Sequence, residues 1–529
     1  MNYNYLYLFF ILSCIILIGR AAVQPIGQAC EVYVEHGAMP TNQCGSYKNP
    51  CLNVKYAIQS CGQSNAYVVV YFIDGPHTDI GNFNQVFVNQ TIVYQAVNIG
   101  KATLDMTGIK TPLVTISDTS YTAGQSTDMY ANFHMNGVNV VNSNSAASII
   151  QTMVNLTQIS VKVDQCGFYS NVGGNGTVFN LKTHYSERQT STTISITNSS
   201  FKNNKGVNGV VLYAQSTDNI YINNCVFYGN SASGVGIINP DTISLVTITQ
   251  SNFTSNYVQS GGVVHFDSMQ VSPVVSSNRF DSNSGGGVRS SAIAMLTTTG
   301  IIDNTNFTNN FNLSGVLVYS SIWVNITNSF FTGNNLPQFY GAGVYFEKSG
   351  ILIYDSVFAN NYALYGGAIY SITNIVYTYI PLIKNTIIED NNATISGGGL
   401  FTSGITLKLT NVSIENNLAA NGSNFYCLGS QVYTNNTEFL SYTDNAYDNE
   451  LGIMCGSSTC SIKDISVLVD NEIGCGVYKP PAKKGLTDKE KIGIAVGISS
   501  VFIITVIIII VIIRKKHHHH HYHSIRGGH

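Results

Sequence analysis

The sequence is poor in charge. Of 529 residues only 10% are Asp, Glu, Lys or Arg, where soluble domains carry about a quarter, and this excludes an ordinary cytosolic globule. Between Lys205 and Lys348 the basic residues are Arg279 and Arg289 alone. Arg514, Lys515, Lys516 and Arg526 crowd the last sixteen positions; setting aside these four and Arg20 leaves 20 of the 25 basic residues against 28 acidic ones, about −8 for the middle. That sign excludes nucleic acid as a partner. Disorder is excluded too, because 44% of the residues are hydrophobic and 32 Tyr and 24 Phe supply a large core.

Two apolar runs predict topology. Residues 6–18 are uncharged and lead into Gly19-Arg20-Ala21-Ala22, the pattern of a secretory signal peptide over 1–21. Residues 492–513 are a second uncharged run of 22 residues, about 33 Å as a helix and enough to span a bilayer. Arg514, Lys515 and Lys516 follow it and stay cytoplasmic by the positive-inside rule. The expectation is a single-pass type I plasma-membrane glycoprotein with an extracellular ectodomain and a cytoplasmic tail over 514–529. Asn-x-Ser/Thr acceptors stand at Asn89, Asn155, Asn175, Asn198, Asn252, Asn306, Asn312, Asn325, Asn392, Asn411, Asn421 and Asn435, all on the outer side. Cysteines cluster evenly at both ends, Cys30, Cys44, Cys51 and Cys61, then Cys427, Cys455, Cys460 and Cys475. Disulfide-stapled caps over 22–65 and 441–478 follow, with the connectivity within each left open. A polar stem fills 479–491. The His-rich stretch 517–523 reads as a tract, and no metal or cofactor is expected.

Between the caps, over 66–440, Phe-x-x-Asn recurs at Phe133, Phe168, Phe201, Phe227, Phe253, Phe280, Phe307, Phe331 and Phe358, then as Ile388 to Asn391 and Ile414 to Asn417. From Phe201 the steps lie between 24 and 30 residues. Seven and five residues before the Phe sit aliphatics, such as Ile220 and Ile222, at strand spacing. Two before it the residue is small, and eight to twelve after it comes a glycine-rich strand start. A unit this short cannot bury its own apolar face, so the repeats predict about fourteen coils of a parallel β-solenoid about 4.8 Å apart, a wall of about 70 Å. A propeller needs 40 to 45 residues per blade. The Asn three after the Phe is expected to take a left-handed corner and to hydrogen-bond its equivalent in the next coil. Cys166 and Cys225 share the small column two coils apart, about 9.6 Å, beyond disulfide reach, and are predicted free thiols. Asn49 as N-cap, Pro50 at N1 and the Val54, Ala57, Ile58, Cys61 spacing predict a short capping helix.

Phe358 to Asn361 followed by Gly366-Gly367-Ala368-Ile369 resembles the repeat of the polymorphic outer-membrane adhesin family. The coil pattern resembles pectin-lyase-like right-handed β-helices, and the resemblance implies an all-β right-handed parallel β-helix. Such folds carry lyases, hydrolases and esterases as well as inert adhesins, so the site decides. The resemblance implies clustered acids in an enzyme, yet the chain has neither an Asp-Asp pair nor Gly-His-Gly. Asp267 and Glu347 share a column three coils and about 14 Å apart, too far for a carboxylate pair. Taking Val211, Val264, Val288, Leu317, Val344, Ile369 and Leu400 as inward, the next residues form an outward, exposed row: Leu212, His265, Arg289, Val318, Tyr345, Tyr370, Phe401. Its basic end, His265 and Arg289 with Asp267, is the candidate acid/base site or else a solvated ion pair. Its aromatic end, Tyr345, Tyr370 and Phe401, is the candidate glycan-binding or surface-protein-binding site or else solenoid packing. Adhesion or surface recognition leads. A membrane-tethered polysaccharide lyase or hydrolase is the alternative, and a passive spacer the third.

Overall fold

The computed structural model describes residues 29–477 except 42, 63–65, 118–129, 154–157, 183–190, 243–244, 288, 373–378, 441–450, 465–470 and 473–475. The expected signal peptide, stem, membrane span and tail, with Asn155, Val288 and Cys475, lie outside the described residues. Among those described no helix is long and apolar enough to cross a membrane.

The chain winds as an all-β right-handed parallel β-helix of about thirteen turns, one fewer than the repeat count suggests. Fifteen strands, from Gln85–Phe87 to Gly476–Val477, stack into one sheet. The other faces of each coil form a 29-stranded sheet and two four-stranded ones. Every named strand pair is parallel except Ser461–Asp464 with Asn471–Glu472. The ladder continues past residue 440, since Ile453–Cys455 and Ser461–Asp464 each pair with the coil before them.

Corners explain why a chain rich in Asn and Ser folds this way. In the coil through Phe253, Gln250, Ser255 and Ser268 each take a left-handed φ of 50° to 55°, a single-residue bend for which Asn, Ser and Gly are suited. Equivalent bends recur at Asn224, Asn304, Asn309, Asn360 and Asn416. The left-handed residue therefore follows the Phe by two positions, and the Asn three after it does a different job. That Asn is buried and makes a ladder along the axis. Asn230 Nδ2 donates to Asn256 Oδ1 at 3.0 Å, Asn256 to Asn283 at 3.0 Å and Asn283 to Asn310 at 3.1 Å. Each Nδ2 also reaches a Phe carbonyl, as Asn256 does at Phe227 O, 2.9 Å. The ladder ends when Asn417 donates to Asn424, 3.0 Å away. A second ladder runs through the small residues, Thr305 N to Ser329 Oγ and Ser329 N to Ser356 Oγ, both 3.2 Å.

Phe168, Phe201, Phe227, Phe253, Phe280, Phe307, Phe331 and Phe358 are in register and fully buried, with consecutive centroids 4.4 to 5.3 Å apart. Phe133 does not belong to this stack. Its register partners are Ile92 and Val161, and Val140 holds the stack position of that coil. Gly315 and Gly343 are required opposite the rings, where an added Cβ would meet Phe331 and Phe358 at 2.7 and 2.6 Å.

The first coil is closed as the sequence suggests but with a later start to the helix. The helix runs Val54–Cys61, and Asn53, whose side chain accepts from Tyr56 N, is its N-cap in place of Asn49. Asn49 instead closes a tight reversal with Ser46 inside the Cys44–Cys51 disulfide, and Cys51 N donates to Tyr33 O, so residues around Pro50 are held extended. Val54 and Ala57 cover the core, and Cys30–Cys61 ties the helix to the first strand. At the other end Cys427 pairs with Cys460. Cys455 lies in register with Cys427.

Candidate functional site

Register, fixed by backbone hydrogen bonds, decides which residues share the outer row of the fifteen-stranded sheet. His265, Ala294, Leu317, Tyr345, Tyr370, Phe401 and Tyr426 do so. Leu212 and Val318 point inward and are fully buried, and Arg289 sits in the turn before its strand with φ +68°. The repeat misleads there because the turn after each Phe varies in length. The inward residue falls eleven positions after Phe253 (Val264), thirteen after Phe280 (Ile293) and nine after Phe307 (Val316).

The aromatic end is a wall. Tyr345–Tyr370, Tyr370–Phe401 and Phe401–Tyr426 stack at 5.4, 4.8 and 5.2 Å with ring planes within 12°. Tyr340 and Tyr365, last residues of the strands Asn335–Tyr340 and Tyr362–Tyr365, brace it from the adjoining face at 4.8 Å from Tyr370 and 5.6 Å from Phe401. These rings form a cluster separate from the core. They are not an exposed stripe: Tyr345 and Tyr370 are each 9% accessible, because every ring covers its neighbour's face. What reaches solvent is ring edges and hydroxyls, so the wall offers no free ring face for a sugar along its length. Tyr340, Tyr365 and Tyr426 escaped the repeat analysis; the signal for the first two is a Tyr directly before the turn glycines Gly341 and Gly366.

A polar cluster closes one end. Tyr345 Oη donates to Glu347 Oε2 at 2.6 Å, Arg289 donates to the same oxygen at 3.1 Å, and Lys348 Nζ is 3.8 Å from Oε1. Arg289 also lies 4.5 Å over the Tyr319 ring. Burial first, and the Glu347 contact second, raise the Tyr345 phenol, while burial pushes Tyr370 up to about 12. Both stay protonated donors at neutral pH.

The proposed acid/base trio does not assemble. Arg289 is committed to Glu347, two coils on, and the charges acting on His265 are those of Asp267 and Asp241. His265 is 8% accessible, burial lowers it to about 4, and its Nδ1 has no partner. It is a neutral imidazole packed under the Gly261 turn, where a Cβ would meet Nδ1 at 2.8 Å.

Cys166 and Cys225 are buried and unpaired, with Ser199 in the coil between them. Burial pushes both thiols up to about 12. In the native chain at pH 8 iodoacetamide is therefore expected to leave both untouched and to alkylate both after denaturation. Native labelling of either, read by peptide mass spectrometry, would contradict this burial.

None of the described glycan acceptors lies in a strand of the fifteen-stranded sheet. Asn198 and Asn411 occupy left-handed bends with both side-chain atoms in the surface ladder, Asn198 donating to Asp164 at 2.7 Å and Asn411 to Asn385 at 3.0 Å.

The family described as the right handed beta helix region matches residues 187–358. No curated protein matches the chain. Among solved structures, tailspike protein 3 of bacteriophage CBA120 is similar at 12% identity and TM-score 0.38, over 79% of this chain and 59% of that one. The catalytic domain of a GH87 alpha-1,3-glucanase in complex with nigerose is similar at 11% and 0.33, over 84% and 69%. The A-module of the Azotobacter vinelandii mannuronan C-5 epimerase AlgE4 is similar at 11% and 0.28, over 75% and 95%. The chain thus spans about three fifths of the tailspike's length. Identities this low carry no activity or ligand across.

Proposed function

We propose that the chain is a non-enzymatic extracellular recognition protein, held to a membrane by residues 492–513, whose β-helix presents the Tyr345–Tyr426 wall to a neighbouring surface. The carrying observation is the wall itself. On the outer side of one sheet the row turns from polar at Thr115, Gln151 and Asn180 to a packed aromatic and aliphatic strip from Leu317 onward. Aromatic rings backed by a rigid sheet, with the Arg289, Glu347 and Lys348 charges at the margin, have the composition of an interface centre and rim. The resemblance of the chain's repeat to outer-membrane adhesins supports the same reading.

The test is binding of the full chain to glycan arrays and to intact cells. Tyr345→Ala with Tyr370→Ala should weaken the captured interaction by about tenfold or more, as truncation of central anchors does. Tyr213→Ala, in the same row toward the N-terminal end, should leave it intact. Equal binding by the double variant would remove the wall from the function, and no binding to any surface would leave a spacer.

A further inference from the structure

A second aromatic site stands at the other end of the solenoid, about eight coils or roughly 40 Å from the wall. The reversal Ser46–Asn49, clamped by Cys44–Cys51 and by Tyr33 N donating to Gly45 O at 2.9 Å, carries Tyr47 at its tip. Tyr47 is 61% accessible, yet its ring meets Tyr33 edge to face at 5.4 Å and 83°. Tyr33 in turn stacks on Tyr71 of the next coil at 4.9 Å and 19°. The three rings and Gln95, Ala96 and Val97 line an open groove of about 310 Å³, at the small end of ligand clefts.

We infer that this groove binds one unit of a neutral or amino sugar. Three features select that chemistry. Unlike the wall, the groove has a ring held out in water by a short covalent loop, so aromatic surface is offered at little entropic cost. No hydrogen bond within the described residues engages the hydroxyls of Tyr33, Tyr47 or Tyr71, leaving three phenols to exchange with sugar hydroxyls. Burial and the Glu31 carboxylate raise the Tyr71 phenol, keeping it a donor. The carboxylate of Glu31 acts on the Tyr71 ring of the groove, which opposes a uronate and favours an uncharged or cationic ring.

The inference is independent of the wall, and one experiment separates them. The full chain in a sugar-free detergent is titrated with cellobiose, N,N′-diacetylchitobiose, chitosan disaccharide and digalacturonate, read by saturation-transfer NMR and calorimetry. At least one of the first three should saturate with Kd of about 1 mM, and digalacturonate should not. Tyr47→Ala, which removes an exposed ring in contact with Tyr33 alone among rings, should weaken binding about tenfold. Tyr345→Ala is the arm that reports on the wall. Saturable binding that survives Tyr47→Ala, binding lost in Tyr345→Ala instead, equal binding of digalacturonate, or none by any of the first three would each overturn the groove as a sugar site.

Discussion

Asn256→Ala should destabilise the solenoid by about 4 kcal/mol, on the order of several buried polar groups losing their partners at once. The amide of Asn256 accepts from both Asn230 N and Asn230 Nδ2, each at 3.0 Å, and donates to Phe227 O and Asn283 Oδ1. Alanine leaves these groups facing one another across a site shielded from water, with Asn256, Asn230 and Asn283 all at 0% accessibility. Because each coil contacts chiefly its neighbours, the loss should be read locally as well as globally. The expected record is a lower urea midpoint together with faster amide exchange at Asn230 and Tyr257, whose N–H donates to Asn230 O. Unchanged exchange at those amides would mean the ladder is decoration.

Phe280→Ala should cost a similar amount, about 4 kcal/mol, by a different mechanism. Its ring lies between Phe253 at 4.6 Å and Phe307 at 5.3 Å. The backbone ladders hold those two coils at fixed spacing, so the site cannot collapse and a cavity remains. Phe280→Leu, which keeps most of the volume, should cost about 1.5 kcal/mol or less, and Arg279→Ala on the outer surface within about 0.5 kcal/mol of zero. The order of the three, measured by urea unfolding, is the test; a Phe280→Ala effect no larger than that of Phe280→Leu would show that the stack relaxes.

How legible the site was can be judged from particular residues. His265, Tyr345, Tyr370 and Phe401 do share an outer row, because in their coils the residues taken from the glycine-rich starts as inward, Val264, Val344, Ile369 and Leu400, are the ones the ladder puts in register. Arg289 does not, because its strand starts only at Ser291, four residues after Gly285-Gly286-Gly287, so the inward residue of that coil is Ile293, five positions beyond the one the repeat indicated. Once out of the row, Arg289 reaches Glu347, a partner that column counting assigned to nobody. The Tyr33, Tyr47 and Tyr71 cluster had no repeat signal, since Tyr47 arrives through a disulfide loop whose pairing the cysteine spacing leaves open.

By itself the amino-acid sequence determined the period of about 26 residues, the inward column of Phe and Ile, the stacking Asn and the clustering of cysteines toward both ends. Each of these is a local pattern repeated until only a solenoid can bury it. The tertiary structure alone decided which outward residues meet, that the wall shows edges rather than faces, and that His265 stands apart from Arg289. The physical reason is that inward positions are pinned by the cost of exposing apolar surface, whereas outward neighbours depend on turn lengths summed over successive coils, and no pattern within a single repeat carries that sum.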